Sequence, residues 1–93
     1  MRIRERLEEL GPELPPAFDY PSRNRTGCVT TRGLLYTSGH PPPENCGVKV
    51  RGKVGGDVSE DEAYQSARAT ALSILASVEN ELGSLDRITQ VVK

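Results

Sequence analysis

The chain has 93 residues, 35% of them hydrophobic, with one Phe and no Trp, and its 12 Lys plus Arg against 13 Asp plus Glu leave a net charge of −1. That length makes one domain, which hides only roughly 60 to 65% of the surface its unfolded form exposes, so stability in isolation is marginal and association is expected. The near-neutral balance lacks the basic excess that binding to a phosphate backbone requires, which argues against a nucleic-acid module.

The opening Met1-Arg2-Ile3-Arg4-Glu5 is charged at once, with no apolar stretch behind it, so a secretory signal is not expected. Nor does any segment approach the ~20 apolar residues of a membrane span, and a cytoplasmic protein with no membrane partner is the expectation. Arg4 to Leu10 places Leu7 and Leu10 three apart among Glu5, Glu8 and Glu9, which predicts a short helix with a narrow apolar edge, ended by Gly11-Pro12. Pro12, Pro15, Pro16 and Pro21 then rule out regular ladders or helices, leaving an arm that lies across the body of the domain. Arg23, Arg25 and Arg32 read as scattered, solvated charges.

From Gly27 the character becomes β: Cys28-Val29-Thr30-Thr31, an Arg32-Gly33 break, then Leu34-Leu35-Tyr36-Thr37-Ser38. Two such runs separated by two residues predict a hairpin, although Arg is a poor residue for the positive φ of that turn. Leu34 and Tyr36 face one way and Leu35 the other, so the second strand is expected to be covered on both sides. Gly39 and Pro41-Pro42-Pro43 end it, and Glu44 to Gly47 form a loop. Val48 to Val54 alternates well enough for a short edge-like strand. Gly52-Lys53-Val54-Gly55-Gly56 lacks the spacing of a phosphate loop and reads as a turn.

Ser59-Glu60-Asp61-Glu62 has the Ser-x-x-Glu spacing of a capping box, with three acids at the positive end of the helix dipole. Down the helix Tyr64, Ala67, Ala71, Ile74, Leu75, Val78 and Leu82 recur near the helical period and predict the buried face, with Gln65, Arg68, Ser73, Ser77 and Asn80 opposite. Gly83 supplies the C-terminal cap, while Glu79 and Glu81 oppose the dipole there without evident compensation. Arg87 to Val92 reads as a last strand, so the polypeptide is expected to stop inside an element, as a C-terminally shortened domain over 1–93 would. Cys28 and Cys46 are expected to be free thiols, and one His with two Cys at this spacing does not make a zinc site. No metal and no cofactor is expected.

The run Leu34 to Pro42, followed by Arg51-Gly52-Lys53-Val54-Gly55 and the capped helix from Ser59, resembles the N-terminal half of the reactive intermediate (imine/enamine) deaminase family, the RidA/YjgF-type proteins once labelled endoribonuclease L-PSP. The resemblance runs from about Leu7 to Lys93. It implies an α+β, chorismate-mutase-like unit assembled as a homotrimer, with sites in clefts between subunits. The implied activity is that of a 2-iminobutanoate/2-iminopropanoate-type deaminase, hydrolysing enamines or imines of the 2-aminoacrylate class to keto acid and ammonia. Such chemistry needs a cation for the substrate carboxylate, a group that orients water, and a pocket that excludes competing nucleophiles.

Carried over from the family pattern, Ser38 and the adjoining Gly39 match the pocket serine element, and Tyr20 is the best match to the aromatic residue of the arm. His40 stands where many members have glutamine, which fits a Ser-Gly-His branch. Each has a plainer alternative: Ser38 as a strand-end turn, Tyr20 as packing for the arm, His40 as a hydrogen-bonded surface residue. The family's carboxylate-clamping arginine and water-orienting acid follow later elements that these residues do not include, and no spacing promotes Arg32 or Arg51 in their place. Catalytic residues are thus unassigned. A non-catalytic small-molecule-binding or assembly module of the same fold is the competing reading. A ribonuclease is disfavoured by the charge and by the lack of a paired acid and base.

Overall fold

A computed structural model describes residues 2–20, 26–43, 47–48 and 51–93. It is a small α+β fold: helix α1 (Ile3–Leu10), a hairpin of β1 (Cys28–Thr31) and β2 (Leu34–Thr37), the long helix α2 (Glu60–Leu82) and a 3-10 turn over Leu85–Arg87. Arg23, Arg25, Cys46 and Val50 lie outside the described residues.

Helix α1 stops where Gly11 takes φ +94° and returns its N–H to the Leu7 carbonyl at 2.9 Å, the left-handed cap that glycine adopts without a Cβ penalty. Its buried residue is Leu7, flanked by the half-buried Ile3 one turn earlier, whereas Leu10 is exposed. Arg2 offers α1 no side-chain cap. The amide of Ile3 instead donates to Asp86 Oδ1 at 2.7 Å, so the far end of the chain caps the first helix.

The hairpin is antiparallel with Cys28 opposite Thr37 and Thr31 opposite Leu34. Arg32 and Gly33 both take positive φ, +49° and +79°, which is the signature of a type I′ turn. Only one face is covered. Cys28 is buried and Leu35 packs against the core, while on the opposite face Val29 and Leu34 are about half exposed and Tyr36 is 59% exposed. The expectation of a strand covered on both sides is therefore corrected: a two-stranded sheet with one helix against it has nothing to lay over its second face.

Helix α2 begins and ends as its sequence predicts. Glu62 N–H donates to Ser59 Oγ at 3.1 Å, the Ser59 N–H donates to Glu62 Oε1 at 3.2 Å, and Gly83 closes the helix with φ +82°. The buried face is another matter. Ser73, Ala76, Ser77 and Val78 are buried, Ile74, Leu75 and Leu82 are half-buried, and Ala67, Ala71 and Tyr64 are exposed. The hydrophobic stripe predicted from Tyr64 is thus corrected in two ways. The first half of α2 has little packed against it, and the second half meets β1 through small side chains, two of them serines, which bring the helix close to the strand.

The core is Leu7, Cys28, Val78 and Leu85, with Ile3, Leu14, Leu35, Ile74, Leu75, Leu82 and Ile88 around it. The acids that opposed the α2 dipole find partners from other elements: Arg4 of α1 meets Glu79 at 2.6 Å, and Thr30 Oγ1 donates to Glu81 at 3.3 Å. Arg87 also donates to the Leu82 carbonyl at 3.2 Å, placing a cation at the negative end of the helix.

Of two predicted strands, the last is absent, and the one expected over Val48–Val54, of which residues 49–50 lie outside the described residues, forms no strand in its described part. After the 3-10 turn, residues 88–93 have no ladder, and Val91 and Val92 are 81% and 77% exposed. Residues 51–54 belong to a tight loop in which Lys53 O accepts from Gly56 N–H (3.0 Å) and Val58 N–H (3.1 Å), with only a bridge between Val54 and Val58. Both runs have strand composition, and in neither do the described residues pair with the hairpin. The Gly52–Gly56 segment is the turn it was expected to be. No described helix is long and apolar enough to cross a membrane.

Candidate functional site

At the open end of the hairpin, the ladder runs one pair beyond the strands: Ser38 N–H donates to the Gly27 carbonyl at 2.9 Å, and Ser38 Oγ donates to the Thr26 carbonyl. This double tie holds Ser38-Gly39-His40 against the segment that enters β1. The arm comes to meet it. Tyr20 Oη donates to the Gly39 carbonyl, and the Tyr20 ring stands edge-on to the His40 imidazole, centroids 5.8 Å apart. Phe18 makes a T-shaped contact with Tyr20 at 4.7 Å and lies 6.5 Å from His40. Edge-to-face aromatic geometry of this kind contributes beyond the area it buries.

His40 joins three parts of the chain. Its Nδ1 is 2.8 Å from the Ser38 carbonyl and 3.5 Å from Tyr20 Oη, and its Nε2 is 2.8 Å from Ser77 Oγ on α2. Ser77 is 5% exposed and His40 half-buried. Gly27 lets this happen: a Cβ there would stand 3.1 Å from both Cβ and Oγ of Ser77 and 3.6 Å from His40 Nε2. The backbone can approach the helix only because residue 27 has no side chain.

All four residues singled out from the sequence, Tyr20, Ser38, Gly39 and His40, therefore meet in one cluster. Ser77, Phe18, Thr26 and Gly27 join them without having been singled out. Two signals were present: a glycine immediately before a strand, which marks close backbone approach, and a Phe-x-Tyr pair in a proline-rich arm. Ser77 had none, because a serine in the polar stripe of a helix reads as solvent-facing. Arg32 sits in the hairpin turn, separated from Ser38 by Gly33 and the four residues of β2, the strand alone spanning about 13 Å.

Chemically the cluster is rich in hydrogen bonds. The side chains that meet in it are phenol, phenyl, imidazole and hydroxyl, with no Lys, Arg, Asp or Glu among those named. Ser38 and Tyr20 both spend their protons on backbone carbonyls. Among the described residues no group of three His, Cys, Asp or Glu side chains is placed to hold a metal ion. A groove of about 800 Å³ lies elsewhere, between α1, arm residues 14–17 and the C-terminal part of α2, and the Arg4–Glu79 ion pair belongs to its wall. It holds none of the four residues. We assign the candidate site to the His40 cluster, since the groove's best-placed charges already neutralise each other.

No family model matches the sequence, and no solved structure matches it. Protein TCP17 of Trypanosoma cruzi is 34% identical over 92 residues, which is 99% of this chain and 57% of that protein. The chain thus spans a little over half the length of that relative, whose name states neither a substrate nor a reaction.

Proposed function

We propose that the chain contributes one wall of the small-molecule cleft of an imine/enamine deaminase-like protein of chorismate-mutase-like fold, acting in the cytoplasm as a homotrimer on substrates of the 2-aminoacrylate class. One observation carries this reading: an aromatic residue of the arm, Tyr20, is seated on the Ser38-Gly39-His40 strand end, the two features expected to line such a cleft together. The hydroxyl oxygen of Ser38, whose proton goes to the Thr26 carbonyl, supplies an acceptor for an enamine or imine N–H. A carboxylate clamp is still required. Neutral hydrogen bonds contribute roughly 0.5 to 1.5 kcal/mol each and do not replace a charge-assisted pair, so binding is the role of this segment, and turnover depends on an arginine and an acid from a following helix and strands.

A second reading, a non-catalytic binding or assembly module, draws support from a different observation. The protons of Ser38 and Tyr20 and both ring nitrogens of His40 are engaged internally, while Val29, Leu34 and Tyr36 leave an apolar sheet face exposed.

Two measurements test the proposal. Titration with 2-oxobutanoate, the keto-acid product of the implied reaction, should perturb the His40 and Tyr20 ring resonances, and no perturbation at saturating ligand would overturn the cleft assignment. An assay that generates the enamine in situ should show no appreciable keto-acid formation by the 93-residue chain, but should show it for a version extended through the further helix and strands, reduced in Ser38→Ala. Robust turnover by the short chain would refute the division of labour. An inactive extended form would favour the second reading.

A further inference from the structure

We propose that the Ser38 carbonyl fixes the tautomer of His40, holding the neutral imidazole with its proton on Nδ1, and that Ser77 is a positioning residue on α2 whose hydroxyl donates to the unprotonated Nε2. The membership of His40 in a substrate cleft rests on the reading above, whereas the tautomer stands on hydrogen-bond chemistry alone. Nδ1 is 2.8 Å from the Ser38 carbonyl, and a carbonyl oxygen only accepts, so a proton on Nδ1 is required; without it two lone pairs would face each other at that distance. Tyr20 does not supply the proton, since its own goes to Gly39 and its oxygen is 3.5 Å from Nδ1. A neutral imidazole protonated at Nδ1 has an unprotonated Nε2. The 2.8 Å contact with Ser77 Oγ is then a hydroxyl donating to that nitrogen.

This pair is built rather than incidental. Ser77 is buried at 5% exposure in the α2 face that meets β1, where a hydroxyl without a partner is costly. Gly27 leaves room for it, since any Cβ there would crowd Ser77 Oγ and approach Nε2. In the same stroke the imidazole is fixed against rotation by bonds at both nitrogens, with the Tyr20 ring edge-on to it. The consequence for the cleft is specific. His40 presents neither a free proton nor a free lone pair, so it shapes and orients the site and does not shuttle protons while Ser77 is in place.

The test is long-range ¹⁵N–¹H correlation of the imidazole of His40, the chain's single histidine, in the ligand-free protein above the pH at which the ring is neutral. The wild type should show a protonated Nδ1 and an unprotonated Nε2. In Ser77→Ala the proton should stay on Nδ1, because the Ser38 carbonyl still requires it, while the Nε2 resonance moves toward that of an imidazole nitrogen without a donor and the hairpin amide resonances stay in place. A wild-type ring protonated on Nε2 overturns the proposal even if no variant folds. So does a Ser77→Ala spectrum in which the Nε2 resonance is unmoved, or in which the proton has passed to Nε2. Neither result touches the 2-oxobutanoate titration, and a failed titration leaves the tautomer assignment intact.

Discussion

The phenol of Tyr20 donates to the backbone carbonyl of Gly39, 19 residues further along, and so fastens the proline-rich arm to the end of β2. The bond joins two segments that share no secondary structure. Prolines between residues 12 and 16 stiffen the arm, which lowers the entropy lost when it is pinned, and the edge-on stack on His40 adds a second contact.

Replacing Tyr20 by Phe keeps the stack and removes the donor. The expected loss is about 1 kcal/mol, read from the midpoint of urea unfolding at unchanged slope. An unaltered midpoint would mean that the arm is held by its rings alone.

Ser59→Ala removes the acceptor of the Glu62 amide and half of a reciprocal capping pair. A loss of about 1 kcal/mol is expected. Glu62→Ala should cost less than Ser59→Ala, because it leaves the serine-to-amide bond in place. Equal stability of Ser59→Ala and wild type would remove the cap from the account of α2.

Arg32 holds φ +49° in the hairpin turn, a conformation that strains most L-residues and suits Asn or Gly. Arg32→Asn should therefore stabilise the chain, by about 0.5 to 1 kcal/mol. Thermal unfolding of the two proteins side by side is sufficient, and a lower melting temperature for the variant would show that the arginine makes a contact worth more than the turn strain.

Cys28 is 5% exposed in β1, and burial first, then the carboxylate of Glu81, pushes its thiol up from the ordinary value. A raised folded-state pKa means that in alkali the folded chain keeps a proton which the unfolded chain gives up. The associated stability is fully present below the ordinary thiol pKa, about 8.5, and is lost as pH rises from there through the raised folded value. Iodoacetamide at pH 8, followed by peptide mapping, should alkylate Cys28 far more slowly in native protein than in urea. Cys28→Ser should flatten the decline of stability above that pH. Equal labelling of native and unfolded chains would contradict the burial.

Where a single stretch of chain contains both partners of an interaction, the residues were sufficient to specify it. Ser59 and Glu62 are three apart, Gly83 closes its own helix, Gly11 returns to Leu7, and Arg32-Gly33 turns two strands that are already adjacent. The proximity of Tyr20 to Ser38-Gly39-His40 was expected through the family resemblance, and not from any local rule. Other features depended on neighbours that a linear pattern does not name. Residues 88–93 have the composition of a strand but no paired edge, and a strand exists only when its amides find one. Helix α2 turned serines inward because burial is set by what approaches a helix, here a glycine-bearing strand entrance close enough to exclude larger groups and an imidazole nitrogen able to satisfy Ser77. Glu79 and Glu81 were unfavourable only within their own helix, and Arg4 and Thr30 answer them from α1 and β1. Short-range hydrogen bonding and backbone sterics were thus readable along the chain, whereas burial, strand pairing and the His40 cluster were decided when distant segments competed for the same small core.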